Sequence, residues 1–144
     1  MLHFPTGDDE WLESDNIDNM EQYDSKFYEK FEKIADSLSE ETEPSSQLTL
    51  LIELCGVLPF CSEHSIYQSL DFLCPLLVEF AKNKSNPDIM LFSLRAITYV
   101  CDLYPPSAEL FAGENIVPTL CQRLYAIEYL DVAEQVIVAC LLLS

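Results

Sequence analysis

Cys61 and His64 set a nucleophile and a base three residues apart, the residue types a small cysteine hydrolase would use. That chemistry also needs the imidazole within hydrogen-bond reach of the thiol, and donors for an oxyanion. The pair falls on a turn between two helical patterns, where a chance histidine explains the same residues. No catalytic residue is assigned. Metal chemistry has no better footing: the six cysteines include no C-x-x-C pair, and His3 and His64 lack ligand spacing. No metal site or cofactor is assigned. Cys74, Cys101, Cys121 and Cys140 instead lie within apolar helical runs, where cysteine behaves as a small core residue. The opening residues Met1 to Asp8 lack a basic and then apolar leader, so a reducing compartment, the cytoplasm or the nucleus, is expected. The longest apolar run, Val136 to Leu143, is far too short to cross a bilayer, and no membrane partner is expected.

Charge excludes a further class. The formal net charge is −18, and residues 1 to 43 carry 14 acidic and 3 basic side chains against 11 and 4 in the remainder. With no basic patch the chain repels phosphate backbones, which argues against nucleic acid as a partner. A basic protein partner is compatible with this charge. Residues 1 to 24 are acidic and without apolar period, and read as a disordered, solvated tail. Trp11, among Asp8, Asp9, Glu10 and Glu13, is either a docking residue of that tail or an incidental aromatic.

The elements that must position any functional surface repeat at an offset of 43 residues. Pro75 falls on Pro118, Asp88 on Asp131, and Leu48, Leu51 and Leu54 on Leu91, Leu94 and Ile97. A period of roughly 40–47 residues built from helices marks an armadillo- or HEAT-like solenoid, a fold that works by presenting surfaces. The fold class is therefore all-α, an armadillo/HEAT-like right-handed helical solenoid of about two and a third repeats; only 3 glycines and 49% hydrophobic residues suit it. A leading helix over 25–40 follows from the stripe Phe27, Phe31, Ile34 and Leu38. Unit one covers 45–83, with helices over 45–58 and 65–82; Pro59 ends the first, and Pro75 should bend the second. Unit two covers 86–126, opening at Asn86-Pro87-Asp88, an N-cap followed by a first-turn proline and acid, and carrying an interruption at Gly113. A truncated third unit covers 129–144, and its run Val136 to Leu143 is apolar all round, as in a helix buried on every side. No polar cap closes this end, so a fragment, a truncated product or a piece of a larger assembly is expected.

In such solenoids the last helix of each unit lines the groove. On the first of these, Asp71, Pro75, Glu79 and Lys82 share the face opposite Leu73, Leu77 and Ala81, and the 43-residue shift converts the row into Glu114, Pro118, Gln122 and Tyr125. Asp71, Glu79, Lys82, Glu114, Gln122 and Tyr125 are the candidate protein-binding groove, a mostly acidic ladder suited to a basic segment. An ordinary solvated face would show the same residues. Importin-like reading of basic peptides would need a ladder of Trp and Asn on these helices, and there is none.

The run Ser85 to Leu91, with Arg95 to Asp102, Leu103 to Ser107, Val117 to Leu124 and Ile127 to Gln135, resembles the armadillo region of HECT-type ubiquitin ligases. Within these it is most similar to the ubiquitin-fusion-degradation branch and the plant UPL ligases, over roughly residues 25–135. The resemblance implies a segment that recruits degron-bearing protein substrates for ubiquitination and ubiquitin-dependent degradation. It also implies that ubiquitin transfer belongs to a HECT domain outside this segment; none of the six cysteines sits in a setting like the HECT nucleophile, so this chain alone should be inactive. The alternative is a stand-alone helical-repeat interaction module without an enzymatic role.

Overall fold

A computed structural model describes residues 26, 28–124, 128 and 130–143. The acidic tail, Trp11, Phe27 and Tyr125 lie outside these described residues. Helix α1 (28–40) buries Phe31, Ile34, Ala35 and Leu38, the stripe expected of a leading helix. Helix α2 (Pro44–Val57) starts on its own proline, whose missing N–H costs nothing in a first turn, and buries Leu51, Leu54 and Val57. Pro59 then falls in a short 3-10 turn, Leu58–Phe60, rather than simply ending the helix.

Helix α3 (Glu63–Ala81) opens where the Ser62 hydroxyl accepts from the Ser65 amide at 3.1 Å. It runs unbroken through Pro75. The ring supplies no N–H for the Asp71 carbonyl four residues back, so the helix loses one bond there without ending. Asn83 and Asn86 build the entry to α4 (Pro87–Leu103): Asn83 Oδ1 accepts from the Ser85 and Asn86 amides at 2.8 and 2.9 Å, and Asn86 Oδ1 from Asp88 and Ile89 at 3.0 and 3.2 Å. Replacing Asn86 by alanine leaves two first-turn donors unsatisfied and is expected to cost about 1 kcal/mol, read from the urea midpoint. An unchanged midpoint would mean that water replaces the cap without loss.

The second unit continues with α5 (Ser107–Gly113) and α6 (Ile116–Leu124). Between them Asn115 takes φ 61°, a left-handed conformation that interrupts the helix, so Pro118 falls in the first turn of α6. The two prolines of the period thus have different settings: Pro75 is interior to a continuous helix, whereas Pro118 follows a break that removes its conflict with a backbone bond. Helix α7 (Leu130–Leu143) follows.

Helix α4 is the central wall. It packs against α2, α3 and α7, and Leu94, Ala96, Ile97 and Val100 are fully buried. A single apolar cluster extends from Phe31 of α1 to Leu143 of α7, so the units share one core. Its few polar intruders are satisfied locally: the Ser69, Ser93 and Ser107 hydroxyls donate to the Ser65, Met90 and Tyr104 carbonyls at 2.8, 2.8 and 2.7 Å. No buried side-chain N or O among the described residues lacks a partner. Helix α7 buries Val132, Val136, Ala139 and Leu143 but exposes Leu130, Ile137, Val138 and Leu141. The all-apolar run Val136 to Leu143 is therefore only half used. Ile137 is 49% exposed, while Leu94, its equivalent one period earlier, is fully covered. No helix among the described residues is long and apolar enough to cross a membrane.

Candidate protein-binding surface

Asp71 and Glu79 stand two helical turns apart on the solvent face of α3, with exposed Pro75 midway, because Leu73, Leu77 and Ala81 turn fully into the core. No described basic side chain pairs with either carboxylate. Glu114 is exposed at the end of α5, and Gln122 is exposed on α6. The Asn115 break means that Glu114 and Gln122 do not continue one helical row, although the period places them opposite Asp71 and Glu79 in the register of the repeat.

Lys82 has a different task from the one its spacing predicts. It is half-buried, and its ammonium donates to the Glu114 carbonyl at 3.2 Å, bridging the end of α3 to the end of α5. Arg123 completes that junction from the other side. Its guanidinium donates to the Lys82 carbonyl at 2.8 Å and to the Asn83 carbonyl at 3.3 Å, satisfying acceptors at the C-terminal end of α3, where the helix dipole favours a cation. The period gives no hint of this contact, because the equivalent of Arg123 is Phe80, a core residue. Glu114 is close enough to add to the effect of burial on Cys74, and the two together push that thiol up to about 11. The three helices of the surface are thus tied by side chain–backbone bonds, α3 to α5 through Lys82 and α3 to α6 through Arg123, and the acids are presented from a braced frame.

Sequence spacing alone misses an apolar component of this surface. One turn before Asp71 and Glu114 stand Tyr67 and Leu110, again 43 residues apart, 61% and 50% exposed. Tyr67 rests edge-on against Tyr104, with ring centroids 5.7 Å apart and planes at 74°. The signal was present as an exposed apolar residue at i−4 of each acid. Of the cysteine–histidine pair, His64 is exposed at the start of α3, whereas Cys61 is buried and donates to the Val57 carbonyl at 3.6 Å. Among the described residues no group of three or more His, Cys, Asp or Glu converges to hold a metal.

Residues 6–144 match the family model described as E3 ubiquitin-protein ligase TRIP12-like, TPR repeats. The chain belongs to this family. Among its relatives, the E3 ubiquitin-protein ligase UPL4 of Arabidopsis thaliana is 49% identical over 119 residues, covering 82% of this chain and 8% of that protein. UPL3 of the same plant is 39% identical over 107 residues, 74% of this chain and 6% of the relative. TRIP12 of Danio rerio is 28% identical over 116 residues, 80% of this chain and 6% of the relative. The chain thus spans less than a tenth of the length of these TRIP12-like ligases. No solved structure matches it. The 43-residue period is longer than the roughly 34 residues usual for the TPR unit of the family's description, and is closer to the armadillo and HEAT range. All of these are stacked helical units on a shared core.

Proposed function

We propose that this segment recruits protein substrates for a HECT-type ubiquitin ligase of the TRIP12-like family, serving ubiquitination and ubiquitin-dependent degradation, with ubiquitin transfer performed by a catalytic domain outside it. The observation that carries this reading is the braced outer surface of α3, α5 and α6, on which the unpaired acids Asp71 and Glu79 stand with Glu114. A degron with basic side chains complements that surface, and the exposed Tyr67 and Leu110 add apolar contact beside the charges. Six free thiols, several committed to the core, support work in the reducing cytoplasm or nucleus.

Fluorescence polarisation with matched Arg/Lys-rich and Asp/Glu-rich peptide panels tests the recognition step. The basic peptides are expected to bind, with affinity that falls as salt rises. The combined Asp71→Lys, Glu79→Lys, Glu114→Lys variant is expected to lose at least about tenfold in affinity, because it replaces attraction by repulsion at three points. All three sites are exposed, so the variant keeps the core intact. Equal binding by the two proteins would remove the acidic-ladder reading.

A further inference from the structure

Tyr67 is the most exposed of the large apolar side chains on α3, at 61%, yet its ring is held in one orientation. Tyr104 meets it edge to face, with centroids 5.7 Å apart and planes at 74°. Tyr104 is itself half-buried and fixed at the corner between α4 and α5. Its amide donates to the Val100 carbonyl at 2.8 Å, and its carbonyl accepts from the Ser107 amide at 2.9 Å and the Ser107 hydroxyl at 2.7 Å. An edge-to-face pair covers at most one face of the Tyr67 ring, so a face remains open to solvent. Asp71, exposed and without a described basic partner, stands one turn further along the same side of the helix. A preset aromatic face beside a free carboxylate discriminates between cations. A guanidinium can lie flat on the ring while its N–H fork serves the carboxylate, whereas an ammonium is compact, strongly hydrated and acts as a point charge. The chain already uses the first half of that pairing internally, where the Arg95 guanidinium lies over the Phe92 ring, 5.1 Å from its centroid. The other arm of the surface differs. One period later the places of Tyr67 and Asp71 are held by Leu110 and Glu114, both exposed, and leucine offers no π face. The aliphatic stems of arginine and lysine cover it equally well.

We propose that the Tyr67 ring and the Asp71 carboxylate form a subsite for one arginine side chain of the bound segment, while Leu110 and Glu114 form a second subsite that takes arginine and lysine alike. Resting on the reading of this surface as a receptor for basic degrons, the subsite narrows the partner class from any basic segment to one with arginine at the position over α3. Tyr104 is the positioning residue: it holds the ring in place before the ligand arrives, so little side-chain freedom is lost on binding.

The test is fluorescence polarisation on the 144-residue protein with two peptides of equal length and charge, one carrying only arginine at its basic positions and the other only lysine. The arginine peptide is expected to bind about fivefold more tightly. Arginines introduced one at a time into the lysine peptide should restore that gain at a single position. Tyr67→Leu gives the first subsite the chemistry of the second, and should cut the preference below about twofold while the lysine peptide keeps its affinity. Tyr67→Phe keeps the aromatic face and should keep the preference. If a variant fails to fold, the peptide series on the unaltered protein decides alone. Equal binding of the two peptides, an equal gain from arginine at every position, or a preference that survives Tyr67→Leu in a folded protein would overturn the arginine subsite and leave the acidic surface standing. Failure of both peptides to bind would remove the surface, and the subsite with it.

Discussion

Leu94→Ala is expected to destabilise the protein by about 3 kcal/mol, the middle of the range for removing a fully enclosed leucine. Leu94 is fully buried on α4, the helix packed by α2, α3 and α7, so no single neighbour can move in to fill the space. The loss has two parts, the transfer free energy of the deleted carbons and the cavity that remains. Against a total stability of roughly 5–15 kcal/mol for an ordinary domain, it would put the folded state near its margin. The urea midpoint at constant slope measures it, with Leu130→Ala as a control, since Leu130 is 84% exposed and its truncation should have little effect. A loss below about 1 kcal/mol for Leu94→Ala would mean that α4 is not the wall shared by the two units.

Arg123→Ala comes second, at about 2 kcal/mol, because it removes two charge-assisted bonds to carbonyls and leaves the acceptors at the end of α3 to whatever water can reach them. Arg123→Lys separates charge from geometry. An ammonium keeps the favourable sign at the helix end but offers no planar fork for two carbonyls at once, so about half of the loss should return. If alanine and arginine give the same midpoint, the junction is held by Lys82 and the apolar contacts alone.

The helical units were legible because their signals are local and redundant. The Asn86-Pro87-Asp88 start combines a capping side chain, a first-turn proline and an acid, and the helix begins at Pro87. The stripes ending in Leu38 and Ala81 likewise fall where their 3.6-residue spacing puts them. Pro118 was harder to place. By sequence it duplicates Pro75, but the duplication conceals opposite settings, an interior position in α3 and a first turn in α6, and the difference lies in Asn115 adopting φ 61° rather than in the proline. For the surface, Glu114 and Gln122 are exposed on either side of a break that helical phase does not indicate, whereas exposure of Asp71 and Glu79 follows from helical phase on α3 and could be read directly. The role of Lys82 could not, because its partner is a backbone carbonyl 32 residues away that no side-chain pattern advertises. Arg123 is hidden for the same reason, and more deeply, since its position has no polar counterpart in the preceding unit.

The sharing of α4 sets a limit on modularity. A 43-residue period invites division of the chain into interchangeable cassettes, each carrying its own part of the surface. Cutting between Lys82 and Asn86 would instead strip α2 and α3 of the helix that covers them, and would at the same time deprive α6 of the carbonyls that Arg123 holds. The smallest piece able to stand alone is therefore longer than the piece that recurs. Any shuffling of such repeat segments has to exchange neighbouring units together, with their junction intact.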